Sequence, residues 1–300
     1  MFDLRYHVVS LAAVFLALVL GVLLGVGISE TGRVDDVERD SYEARISDLQ
    51  GRIDAAAEQD LANEGEQKAA ETLFDEAYPL FMQDRLAGRR VATIFVGKSS
   101  PDGAVRRGLE RMLADGGASG PFRFRALDVP FDAKAIRGEL DGHADLTRFS
   151  GPDSYGELGE QLAKELVAGG DTPLWDALSP LIVGEEAGIG ALPPDAVVVA
   201  RTAEPQQAET AAVLAGFYRG LANGAVPSVG VEVTESEPSA IPAFEQAGLS
   251  SVDAIDTDVG RLAAAIVLAG GPSGNYGVKD TAEDGVIPTP VEPVETTTVG

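Results

Sequence analysis

The sequence predicts an α/β fold: a mostly parallel sheet with helices on both faces, behind an N-terminal transmembrane helix and a short coiled-coil stalk. Three observations lead there. Val8–Ile28 is an uncharged apolar run of 21 residues. Residues 30–70 are rich in Asp, Glu, Gln, Arg and Ala, contain no proline, and carry a short heptad seam. Beyond Arg90, short β-branched runs alternate with amphipathic stretches bounded by Gly, Pro and Ser, the pattern of strand–helix units.

The apolar run Val8–Ile28 is long enough, as a helix, to cross a hydrocarbon core roughly 30 Å thick. A helix is required there because lipid offers no partner for backbone amides. Asp3 and Arg5 precede the run, and Glu30, Asp35, Asp36, Glu38 and Asp40 follow it. This bias favours residues 1–29 as an uncleaved membrane anchor, with everything after Ile28 outside the cytoplasm. A cleaved signal is the alternative, with small-x-small sites at Gly25–Gly27 and Gly27–Ser29, although signal cores usually run about 7–15 residues. Ala13, Ala17, Gly21, Gly25 and Ser29 form one stripe at four-residue intervals. Its Gly21/Gly25 step suits close approach of a second helix, from another copy or another membrane protein.

Residues 30–87 read as stalk and connecting helix. Tyr42, Ile46, Leu49, Ile53 and Ala56 follow a 4-3-4-3 spacing, and Asp60 and Glu64 end it. So short a seam pairs best when membrane attachment raises the local concentration of partner helices; the alternative is a solvated helix packed on its own domain. Leu73, Phe74, Ala77, Leu80 and Phe81, interrupted by Pro79, predict the connecting helix, with the aromatics in the core.

Residues 88–272 read as the α/β domain. Strands are expected at Val91–Val96, Phe122–Val129, Ala196–Ala200, Ser228–Val233 and Val252–Ile255. Helices are expected at Asp102–Ala114, capped by Ser100 with Pro101 in its first turn, then Ala133–Leu140, Tyr155–Ala168 and Leu174–Leu181. Three more follow at Gln206–Leu221, Pro238–Gln246 and Asp258–Leu268. Gly184–Gly190 reads as a loop. Residues 273–300, with Pro288, Pro290, Pro293 and a Thr run, read as a disordered tail.

Composition narrows the function. Asp and Glu number 48 against 23 Lys and Arg, a formal charge of −25 that argues against nucleic acid as a partner. Without cysteine there is no disulfide, zinc–thiolate site, iron–sulfur cluster or Cys nucleophile.

Phe2–Gly25 (FDLRYHVVSLAAVFLALVLGVLLG), and within it Leu4–Ser10, resembles the opening of the MctB-like family of actinobacteria, named after a copper transport protein. Thr257–Leu262 (TDVGRL) and Gly274–Gly277 (GNYG) resemble its closing motifs. The resemblance implies a membrane-attached envelope protein connected with copper export or homeostasis. It carries over no copper-ligand motif.

The residues themselves support copper poorly. Cu(I) favours Cys or Met and Cu(II) favours His. Met82 and Met112 fall in separate expected helices, and His7 and His143 on opposite sides of the membrane. His143, in a polar turn, reads as solvent-exposed; Arg5, Tyr6 and His7 read as headgroup contacts. Gly97–Gly103, with Lys98, Ser99 and Ser100, could offer amides to an anion but lacks both GxGxxG and the Walker spacing. No GxSxG elbow is present. No catalytic, cofactor or metal residue is therefore assigned. The expectation is a partner-binding envelope scaffold; the alternatives are an oligomeric copper efflux component and an enzyme acting on a nucleotide or sugar.

Overall fold

The computed structural model describes residues 72–289 except 99, 101, 102, 120 and 189–191, together with 65 and 68–70. The chain divides into two units, residues 1–70 and 71–300, and the second holds the sheet. The anchor helix, the Gly21/Gly25 stripe and the Tyr42–Ala56 seam lie outside the described residues. Among those residues no helix is long and apolar enough to cross a membrane.

The unit is a seven-stranded sheet between two layers of helices. In chain order the elements are α1 (72–82), β1 (Val91–Val96), α2 (Ala104–Asp115), β2 (Pro121–Leu127) and α3 (Ala133–Asp141). Next come α4 (Tyr155–Ala168), α5 (Pro173–Ile182), β3 (Val183–Gly188), β4 (Ala196–Arg201), α6 (Ala208–Ala222) and β5 (Ser228–Val231). The last four are α7 (Ile241–Gln246), β6 (Ser250–Val252), α8 (Asp258–Leu268) and β7 (Asn275–Tyr276). The sheet order is β3-β2-β1-β4-β5-β6-β7, and every pairing is parallel except β2 with β3. The chain starts mid-sheet and runs outward in both directions, so β1 and β4 flank a topological switch point.

β1 shows why the apolar runs became strands. All six of its residues are buried. Ala92, Ile94 and Val96 enter the core under α3–α7, while Val91 and Phe95 enter the core under α1, α2 and α8. A strand covered on both faces has no need to alternate. Asp195 clamps the start of this central pair. Its carboxylate accepts from the Arg90 amide at 2.8 Å and from Arg90 Nε and Nη2 at 2.9 and 2.8 Å.

Four glycines let α4 and α6 touch backbone to backbone. A methyl group at Gly159 would overlap the Val213 carbonyl oxygen, and one at Gly216 the Gly156 carbonyl oxygen. At Gly220 it would stand 2.6 Å from Ala163 Cβ. Around this contact pack Trp175, Phe217, Tyr218 and Phe244, linked edge to face. Glu165, at the end of α4, accepts from the Leu174 and Trp175 amides at the start of α5, at 3.0 and 3.3 Å. Burial pushes its carboxyl above the usual glutamate range, against the pull of those amides.

Several expectations are corrected. Val183–Gly188 is an antiparallel edge strand rather than a loop. α2 begins at Ala104 behind Gly103 with no side-chain cap, because a turn closed by Gly103 N to Ser100 O comes first. The sixth strand is Ser250–Val252: Ser251 donates to Asn275 Oδ1 and Ser250 Oγ accepts from the Gly274 amide, so both buried serines are satisfied. α7 starts at Ile241, because Arg201 holds the Pro238 and Ser239 carbonyls in a preceding loop. Asn275–Tyr276, expected within the tail, adds the seventh strand. α1 continues through Pro79; it buries Tyr78 and Met82 and exposes Phe81.

Two predictions follow from packing and charge. Gly159→Ala should cost about 3 kcal/mol or more, as overpacking against rigid backbone does. Gly138→Ala, in an exposed part of α3 with open space beside it, should stabilise by about 0.5–1 kcal/mol. Thermal unfolding of both variants checks this. The Arg90 hydrogen bonds hold the Asp195 carboxyl down at about 2, below its ordinary unfolded value of about 3.9. Its contribution is therefore complete above about pH 4 and lost as pH falls toward 2. Asp195→Asn should be less stable than the parent at pH 7, and urea titrations should show the gap closing between pH 4 and 2.

Candidate functional site

Ligands of doubly wound sheets bind beyond the C-terminal strand ends, at the switch point. Here that mouth is filled. Gly97, immediately after β1, has φ +106°, and a Cβ there would stand 2.7 Å from the Ala203 amide nitrogen. The Thr202 and Ala203 amides both donate to the Val96 carbonyl, at 2.9 and 3.0 Å, and Thr202 Oγ1 donates to the Lys98 carbonyl at 2.8 Å. The loops after β1 and β4 thus bond to each other where a cofactor would enter.

The ends of β5, β6 and β7 hold a polar cluster that sequence reasoning missed. Glu232, fully buried, follows β5. Its Oε1 accepts from Ser239 Oγ at 2.9 Å and Lys279 Nζ at 2.7 Å, and its Oε2 accepts from the Ala240 amide. Lys279 Nζ also donates to the Val233 carbonyl at 3.1 Å. Asp253, buried after β6, accepts from the Val278 and Lys279 amides at 2.8 and 3.0 Å. Gly277 is pressed so closely on this carboxylate that a side chain there would overlap it. Asp256 accepts from the Thr234 amide and hydroxyl at 2.8 and 3.1 Å. The carboxylates are consumed by the chain's own donors, so the cluster latches residues 277–279 over the strand ends. Three acids and a lysine spread over 47 positions leave no local spacing to detect.

Open space begins one strand further along. A cavity of about 420 Å³ lies beyond β1 and β2, lined by Lys98, Ser100, Leu127, Asp128 and Glu185 among others. Lys98 and Ser100, from the glycine-bearing turn considered above as an anion cradle, share it with two carboxylates, a poor setting for phosphate. A groove of about 520 Å³ lies on the adjoining sheet face, between α2 and β3.

The remaining candidates disperse. His143 is exposed, 3.1 Å from Glu139 one helical turn earlier. Met82 and Met112, expected apart, share one core and are fully buried. His7 lies outside the described residues. Among the described residues no group of three His, Cys, Asp or Glu is placed to hold a metal ion.

The closing motifs prove to be joints. Thr257 accepts from the Gly260 amide at 3.0 Å, and a side chain at Gly260 would overlap the Ala254 carbonyl. Arg261, buried, pairs with Asp258, donates to the Asp256 carbonyl at 2.9 Å and meets Tyr78 Oη of α1 at 3.4 Å. Tyr78 donates to Asp115 at 2.9 Å, and burial pushes its hydroxyl up to about 12. α1, α2 and α8 are thereby tied together. Asn275 Nδ2 donates to Glu245 at 2.8 Å, which fastens β7 to α7.

These features define a class: a doubly wound α/β domain whose switch point between β1 and β4 is closed by its own loops, with open space left beyond β1 and β2. The chain belongs to the MctB family, described as copper transport outer membrane proteins, which matches residues 1–287. A comparison with curated proteins finds no match.

The latch is tested by Lys279→Met. It should cost about 3–5 kcal/mol, because it strands the Glu232 carboxylate in the interior. Chemical denaturation should show a large part of that loss recovered in the double variant Glu232→Gln/Lys279→Met.

Proposed function

We propose that this chain is an envelope protein, held in the cell membrane by a single pass at residues 8–28. Its extracytoplasmic domain works by binding another component, a second copy or a different protein, rather than by catalysis. The observation that carries this reading is the outer side of α1. Leu73, Leu80 and Phe81 are 68%, 75% and 41% exposed on the helix by which the chain enters its domain. Leu73 and Leu80 stand seven residues apart, two helical turns along one stripe. Large apolar side chains grouped on one helix face suit an interaction surface. The heptad seam of the expected stalk, upstream in the sequence, supports the same use, and the Gly21/Gly25 stripe supplies a matching contact within the membrane. The loops bonded to each other across the β1–β4 switch point support a role other than cofactor chemistry there.

The family description favours a second reading, an oligomeric copper efflux component. On that reading copper is cargo, met by exposed carboxylates or by groups assembled between copies.

Cross-linking of the full-length protein in its native membrane, followed by affinity capture, tests the first reading. The parent should give a discrete cross-linked species. Leu73→Asp/Leu80→Asp should reduce it about tenfold, the equivalent of about 1.4 kcal/mol of association, while thermal unfolding stays unchanged. A monomer with no cross-linked partner would overturn the reading. Sub-micromolar copper binding by the purified full-length chain would favour the second.

A further inference from the structure

We propose that the cavity beyond β1 and β2 is a binding site for the ring of an uncharged sugar, in a glycan or in a nucleoside, held by its hydroxyl groups. The site is separate from the α1 stripe and stands or falls independently of it. Open α/β sheets receive ligands outside the carboxyl ends of their strands. The loops bonded across β1 and β4 and the latch over β5, β6 and β7 fill most of that region, and the cavity of about 420 Å³ is what they leave. Its volume falls within the roughly 300–1,000 Å³ of small-molecule pockets.

Backbone hydrogen bonds fix the walls. The Gly97 amide donates to the Leu127 carbonyl at 2.9 Å, which joins the ends of β1 and β2. Thr202 Oγ1 holds the Lys98 carbonyl at 2.8 Å, and the Asp128 amide donates to the Ile182 carbonyl at 2.8 Å. Glu185 is carried by β3 on its ladder to β2. From these supports the side chains of Lys98, Ser100, Asp128 and Glu185 line the cavity. All four are exposed, and among the described residues none of these side chains has a hydrogen-bond or ion-pair partner. The contrast is with the other strand ends, where Glu232, Asp253 and Asp256 are taken up by the chain's own donors.

Donor and acceptor types select the ligand. The Asp128 and Glu185 carboxylates only accept, Lys98 only donates, and Ser100 does both. A phosphate meets Lys98 but is opposed by two carboxylates, and an amine meets the carboxylates but is opposed by Lys98. A hydroxyl both donates and accepts, so neighbouring hydroxyls on one ring serve all four side chains together. Strand order points the same way. Dinucleotide-binding sheets share the order β3-β2-β1-β4-β5-β6, and in them an acidic residue beyond the first strand–helix turn takes the ribose hydroxyls. Asp128, directly after β2, is the acid so placed here. Gly97–Gly103 lacks the glycine pattern that seats a pyrophosphate, so the ring is bound without one.

The test is a saturation-transfer NMR titration of the full-length protein in micelles of a detergent without sugar groups. Maltose and adenosine are the neutral probes. Fully O-methylated maltose and dideoxyadenosine lack their hydroxyls, and AMP adds a phosphate to adenosine. At least one neutral probe should bind saturably in the millimolar range or tighter, and its hydroxyl-free counterpart at least about tenfold more weakly. Binding of maltose alone identifies a glycan as the ligand, and binding of adenosine alone a nucleoside. Asp128→Ala and Lys98→Met should each weaken the bound probe about tenfold. Gly184→Val should block it: a Cβ at this exposed strand position stands 3.6 Å from Asp128 Cβ, in ordinary contact, and the added methyls fill the space beside the carboxylate. Thermal unfolding of the three variants should match the parent, which separates lost binding from lost fold. No saturable binding of either neutral probe, equal binding of the hydroxyl-free counterparts, tighter binding of AMP than of adenosine, or indifference to Asp128→Ala and Gly184→Val would each overturn the proposal.

Discussion

The fully buried Glu232 carboxylate is the constraint around which the C-terminal half of the domain is arranged. A carboxylate is retained in a core only when charge and hydrogen bonds replace water, and here Lys279, Ser239 and the Ala240 amide do so. Meeting that demand brings Lys279 back over the strand ends, which in turn makes β7 a strand and sets Gly277 on Asp253. The same group draws the loop before α7 inward through Ser239. One buried charge thus decides where the domain stops and what covers the ends of β5, β6 and β7.

The closure at β1 and β4 has a different physical basis. There no charge is involved: two loops bond through the Val96 and Lys98 carbonyls, and Gly97 supplies the close approach that a side chain would block. Two independent devices, one ionic and one steric, therefore occupy the region where this architecture normally receives ligands. What stays open is the cavity beyond β1 and β2 and, on the outside, the α1 stripe.

Legibility in the sequence followed burial. Val91–Val96 and Ala196–Ala200 were plain because strands buried on both faces are continuous apolar runs. Gly184–Gly190 reads as a loop because glycines and two glutamates mask it; Val183–Gly188 is held in the sheet by its ladder to β2, with Arg125 3.7 Å from Glu186. The strand expected at Val252–Ile255 forms at Ser250–Val252, because side-chain hydrogen bonds satisfy the two buried serines, and Asn275–Tyr276 is a strand of two residues with one apolar member, too short for any pattern to mark. The Arg90–Asp195 clamp and the Glu232–Lys279 latch join residues 105 and 47 positions apart, and no spacing rule reaches that far. Of the α1 aromatics expected in the core, Phe81 faces outward, because the helix continues through Pro79 rather than breaking there.

The central claim is that this domain acts through its outer helix face while its strand ends at β4 and β5 stay closed. The most direct measurement places a photo-crosslinking amino acid in turn at positions 80, 203 and 234 of the full-length protein in its native membrane. The account predicts protein adducts from position 80 and none from 203 or 234. Small-molecule adducts at 203 or 234, with nothing captured at 80, would contradict it.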